Sequence, residues 1–129
     1  MAKILIVDDE AALLSSIKRT LRDTAHELEF ALDGKQALHM LTSGNQHYDL
    51  LISDVYMPFD GMELLSHLTK QGINIPVIMM SGGDRRNGSL NMLNLLDAFN
   101  ISTKLCKPFS NDELINAIDY TLMKVANES

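Results

Sequence analysis

The chain has little of several things. It has one cysteine, Cys106, three prolines and no tryptophan among 129 residues, and aromatic side chains make up 5%. A single cysteine forbids an internal disulfide, and a reducing cytoplasm is the expected location. No apolar run approaches the ~20 residues that a membrane helix needs. The start, MAKILIVDDE, lacks the basic head and long apolar segment of a secretory signal. Basic residues are outnumbered, 11 Lys and Arg against 17 Asp and Glu. The resulting net charge of −6 weighs against nucleic acid or an anionic membrane as the main partner. No linker, repeat or low-complexity tract is visible, so residues 1–129 are expected to form one domain. His26, His39, His47 and His67 show no ligand spacing and read as surface or loop residues. Cys106 reads as a small buried hydrophobe on the last strand.

What is present is a regular alternation. Apolar residues make up 46% of the chain, enough for one proper core. KILIV (3–7), ELEFA (27–31), DLLIS (49–53), PVIMM (76–80) and TKLC (103–106) are short, and most are continuously apolar, as strands covered on both faces are. Between them lie helical patterns. Leu13, Leu14, Ile17 and Leu21 share a face, as do Ala37, Leu38 and Leu41, then Leu64, Leu65 and Leu68, and finally Leu114, Ile115, Ile118 and Leu122. Asp33 with Gln36, and Ser110 with Glu113, mark helix starts, the second pair as a capping box. Five strands alternating with five helices predict an α/β fold, a doubly wound parallel sheet with helices on both faces.

In such a sheet, ligands bind beyond the carboxyl ends of the strands. Asp8, Asp9 and Glu10 follow the first strand, Asp54 ends the third, Ser81 follows the fourth and Lys107 the fifth. Clustered carboxylates repel one another unless a cation joins them. Oxygen ligands suit a hard divalent ion, and Mg²⁺ typically takes one or two carboxylates together with waters and a phosphate oxygen. Asp8, Asp9 and Asp54 would be balanced by Mg²⁺ and Lys107. A carboxylate can attack phosphorus to form an aspartyl phosphate, with Ser81 donating its hydroxyl to the transferred group.

ILIVDDE, DLLISDVYMPFDG, VIMMSGG and KPFSNDEL, in this order and spacing, resemble the receiver domains of two-component response regulators across essentially the whole chain. The resemblance implies a flavodoxin-like strand order of 2-1-3-4-5. It implies Asp54 as phosphoacceptor, Asp9 and the backbone carbonyl of Tyr56 as Mg²⁺ ligands beside Asp54, and Asp8 as a ligand through water. Ser81 and Lys107 match the family's hydroxyl and lysine positions, and the Lys107–Pro108 bond is expected to be cis. The implied partner is a sensor histidine kinase or a histidine phosphotransfer protein. The chain departs from the family at Lys104, which stands where an aromatic switch residue is usual. The stretch between Ser81 and Lys107 is also longer than usual, with a polar, glycine-rich loop, GGDRRNGS.

SLNMLNLLDAF (89–99) is expected as the fourth helix. Its polar stripe is narrow, and Leu95 and Phe99 are among the apolar groups expected near solvent. With Lys104 it forms the expected output surface for a downstream protein or a second copy of the chain. Two other readings compete. The chain would be a receiver cut from a larger transcriptional regulator, or a metal-dependent phosphohydrolase. Against the second, the DxD motif after the first strand and a cap domain are missing. A nucleotide-binding switch is a weaker reading still, since the sequence has no G-x-x-x-x-G-K-[ST] loop.

Overall fold

The computed structural model describes residues 2–43, 47–54, 61–82 and 101–128. Runs too short and too apolar for amphipathic helices become strands: β1 (Lys3–Val7), β2 (Glu27–Ala31), β3 (Leu50–Asp54), β4 (Val77–Ser81) and β5 (Ile101–Cys106). They form one parallel sheet in the order β2-β1-β3-β4-β5. β3 is buried along its whole length, and β1 and β4 along nearly all of theirs. The edge strand β2 instead alternates Glu27 and Glu29 with apolar residues and is only partly covered.

Helices α1 (Ala11–Leu21), α2 (Gly34–Thr42), α3 (Gly61–Lys70) and α4 (Asn111–Glu128) complete the described residues. These are four where five were expected, and the one expected over 89–99 lies outside the described residues. None of the described helices is long and apolar enough to cross a membrane.

Strand residues alternate between the two faces of the sheet, so each face builds its own core. Ile4, Ile6, Ile52, Ile78 and Met80 meet Leu14 and Ile17 of α1 and Leu114 and Ile118 of α4. Leu5, Val7, Leu51 and Met79 meet Ala37 of α2 and Leu64, Leu65 and Leu68 of α3. The expected helix faces are therefore the packed ones.

The helix starts follow their sequence signals. The Gln36 N–H donates to Asp33 Oδ1 at 2.8 Å, and the Leu32 N–H donates to Gln36 Oε1 at 2.9 Å. Ser110 and Glu113 form the expected reciprocal box, at 3.0 and 3.1 Å. α3 ends at Gly72, whose φ of 72° lies in the left-handed region. Its N–H donates to the Thr69 carbonyl and that of Ile73 to the Leu68 carbonyl, a Schellman ending.

Cys106 corrects one expectation, since it is exposed rather than buried. β5 is a sheet edge, and its last residue lies at the rim, past the layer that α4 covers.

Candidate functional site

Register brings the site together. Val7 pairs with Ser53, Asp54 with Met80, and Ser81 with Cys106, so the carboxyl ends of β1, β3, β4 and β5 reach one rim. A shift of register between Val77 and Ile78 inserts one extra β5 residue. Beyond it the pairing continues through the Lys107 N–H, which donates to the Ser81 carbonyl at 2.8 Å. The next bond, Lys107–Pro108, is cis, as expected.

Asp8 is fully buried and Asp54 is 6% exposed. Two buried carboxylates side by side need compensation. Lys107 supplies it: its Nζ donates to Asp54 Oδ2 at 2.6 Å and to Asp8 Oδ2 at 2.7 Å. Burial by itself would lower the affinity of Lys107 for its proton. The hydrogen bonds to Asp54 and Asp8 outweigh that penalty and hold its pKa above the ordinary lysine value. Asp8 Oδ1 accepts the Glu10 N–H at 2.8 Å, which closes a turn at the entry to α1. Ser53, buried next to Asp54, donates its hydroxyl to the Asp54 carbonyl at 3.1 Å.

Asp9 is exposed beside this pair, and carboxylate oxygens of Asp8, Asp9 and Asp54 lie within 4.8 Å of one another. Every donor in the cluster is a carboxylate oxygen, from two strand ends, with one lysine to offset three acids. Such a set fits a hard divalent cation such as Mg²⁺. Glu10 is a member of the site that sequence reasoning placed at the rim but gave no role. Its Oε1 lies 3.4 Å from Lys107 Nζ, with the side chain 64% exposed. Its adjacency to Asp9 was the only signal for it.

The remaining expected residues fall in different places. Ser81 is half-buried at the end of β4, with its hydroxyl 3.8 Å from the Cys106 sulfur. Lys104 is exposed on β5, opposite Met79. Tyr56, Leu95 and Phe99 lie outside the described residues. Beside the acid cluster, a cavity of about 470 Å³ runs between α1 and the start of α4. Glu10 and Lys107 stand on its wall with Leu13, Ile17, Phe109 and Asn111.

Comparison with known proteins agrees with this fold. A family profile described as the response regulator receiver domain matches residues 4–119. The two-component response regulator ORR21 of Oryza sativa subsp. indica is 32% identical over 128 residues, which span 98% of this chain and 18% of that protein. The response regulator MprA of Mycobacterium avium (strain 104) is 34% identical over 114 residues, 88% of this chain and 47% of that one. The chain thus spans less than half the length of these curated relatives. Among solved structures, a CheY-like receiver domain protein from Methanospirillum hungatei JF-1 superposes with a TM-score of 0.86 at 28% identity. That match covers 100% of this chain and 99% of the other.

Proposed function

Because this chain belongs to the response regulator receiver domain family, we propose that it works by accepting a phosphoryl group on Asp54 from a partner's phosphohistidine. The observation that carries this reading is the buried Asp54 carboxylate at the end of β3, paired with Lys107 in a cluster with Asp8 and Asp9. A carboxylate oxygen of Asp54 attacks phosphorus and the P–N bond of a ring-protonated phosphohistidine breaks; the bond's electron pair stays on that nitrogen, and the proton on the other ring nitrogen lets the imidazole leave neutral. Asp9 and Asp54, with the carbonyl of Tyr56, would hold Mg²⁺ directly, and Asp8 would hold it through water. Bound there, the ion would offset the charge on the phosphoryl oxygens in transit.

Lys107 has a role at both ends of the step. Before transfer it neutralises Asp54 and Asp8, and afterwards it donates to a phosphoryl oxygen in place of Asp54. Ser81 stands at the neighbouring strand end, ready to give its hydroxyl to another of those oxygens. The cavity between α1 and α4 leaves one side of Lys107 open to a donor protein. The protein acts on itself alone and turns over no separate substrate, and its expected setting is the cytoplasm.

The signal would leave through Lys104 and the segment 89–99 with Leu95 and Phe99, toward a downstream protein or a second copy. The length of the relatives favours a second arrangement, in which this domain controls an output domain in a longer regulator.

With Mg²⁺ and a small phosphodonor, the wild type takes up one phosphoryl group, and Asp54→Asn takes up none while keeping its circular dichroism. Labelling that survives in Asp54→Asn, or that proceeds equally in EDTA, rules the assignment out.

A further inference from the structure

Glu10 stands at the N-cap of α1 with extended backbone, a position from which a side-chain oxygen commonly accepts a free N–H of the first turn. Asp33 and Ser110 do this for α2 and α4. Glu10 does not. Its side chain makes no capping bond, and its Oε1 lies 3.4 Å from Lys107 Nζ instead.

That contact adds little stability, because it is long and the Glu10 side chain is mostly exposed. Nor does the lysine need it. Asp8 and Asp54 already hold the ammonium, at 2.7 and 2.6 Å. Glu10 is therefore a surplus negative charge on the solvent side of Lys107. It stands with Lys107 on the wall of the cavity between α1 and α4, the side left open to a donor. The carboxylates of Glu10 and Asp54 share one ammonium, so they are no farther apart than their two distances to it together. A phosphoryl group bound for Asp54 thus arrives well inside the Debye length of about 10 Å at 0.1 M salt.

We propose that Glu10 selects the phosphodonor by charge, slowing free dianionic donors such as acyl phosphates. The inference rests on Asp54 being the phosphoacceptor. A free acyl phosphate meets Glu10 with its full negative charge and no cation. A protein that presents a phosphohistidine can set a lysine or arginine against Glu10, and so escapes the penalty.

Two small donors separate this effect from everything else about the site. Acetyl phosphate is a dianion at neutral pH, and phosphoramidate is a net monoanion. In both reactions an Asp54 oxygen attacks phosphorus. With acetyl phosphate the P–O bond breaks and acetate leaves with the electron pair. With phosphoramidate, protonated on nitrogen, the P–N bond breaks and ammonia leaves with the pair. In Glu10→Gln, saturated with Mg²⁺ at low ionic strength, the rate should rise roughly tenfold with acetyl phosphate and roughly threefold with phosphoramidate. Both gains should shrink toward none at 1 M salt, where the Debye length is about 3 Å. A second readout involves no transfer: by calorimetry, Glu10→Gln should bind Mg²⁺ several-fold more weakly, since the rim has lost a negative charge. Gln keeps the size of an exposed side chain, so the fold is retained.

Equal gains with the two donors, or gains indifferent to salt, would mean that Glu10 acts only by holding Lys107, and would overturn the proposal. Unchanged rates or an unchanged Mg²⁺ affinity overturn it as well. A wild type that neither donor labels, or labelling that survives Asp54→Asn, is a different failure. It removes the phosphoacceptor reading, and the proposal with it.

Discussion

Lys107 holds two buried acids at once, and removing its ammonium leaves both without their cation. Losing one partner of a buried ion pair costs several kcal/mol, because the remaining charge has no water to turn to. Lys107→Ala is therefore expected to lose about 3 kcal/mol of stability in EDTA, read by chemical denaturation. The same change removes a positive charge from beside the acid cluster, so Mg²⁺ should bind roughly tenfold tighter, measured by calorimetry because the chain has no tryptophan to report. A variant as stable as wild type in EDTA would show that Asp8 and Asp54 do not depend on Lys107. The acids were legible because they follow short apolar runs, where a charged residue has no place in a core. Lys107 was legible from its place after the last strand and from the Pro108 and Phe109 that follow it. Cys106 was misread for the converse reason. Its residue type is usually buried, but its burial was decided by an edge strand that only the strand order reveals. Glu10 gave no signal beyond position, since its contact with Lys107 crosses 97 residues of sequence.

At the scale of elements, starts were easier to read than stops. Asp33 and Ser110 announce their helices by spacing alone, and both caps form as expected. The end of α3 depends on Gly72, whose positive φ no residue with a Cβ adopts freely. Nothing lies within 4 Å of where a Cβ would sit there, so a substitution meets a backbone penalty and no clash. Gly72→Ala should thus cost about 1 kcal/mol, and Gly72→Asn less, since Asn tolerates the left-handed region better. Equal stability of Gly72→Ala and the wild type in urea melts would mean that the turn rearranges. The sequence around it, TKQGINI, contains the glycine but not its φ. A glycine is also common in turns that need no positive φ.

At the scale of the whole molecule, the described residues form two cores separated by the sheet. Leu68 belongs to one and Ile118 to the other, and both are at most 2% exposed. Either truncation to alanine should cost about 2–5 kcal/mol. With no neighbour shared among the described residues, the double variant should equal the sum of the singles within about 0.5 kcal/mol. A larger discrepancy in denaturation midpoints would reveal coupling through the sheet. The alternation of short apolar runs with amphipathic ones made the α/β class readable, because period two and period 3.6 leave different traces. Strand order was another matter. Composition and periodicity allow several orders for five parallel strands, and only the family resemblance selected 2-1-3-4-5. The one-residue shift in β5, which sets where Lys107 emerges, depends on pairing across the sheet and has no local mark.

The pairing of Lys107 with Asp8 and Asp54 joins residues 99 and 53 positions apart. A ribosome makes the chain from its amino end, so both acids leave the exit tunnel long before their lysine. Until β5 is delivered, a nascent domain that docks β1 against β3 brings two carboxylates together with no side-chain cation between them. Free Mg²⁺ in the cell would relieve that repulsion. The ion proposed for the finished site would thus first serve its synthesis, by holding the half-built rim together until Lys107 arrives.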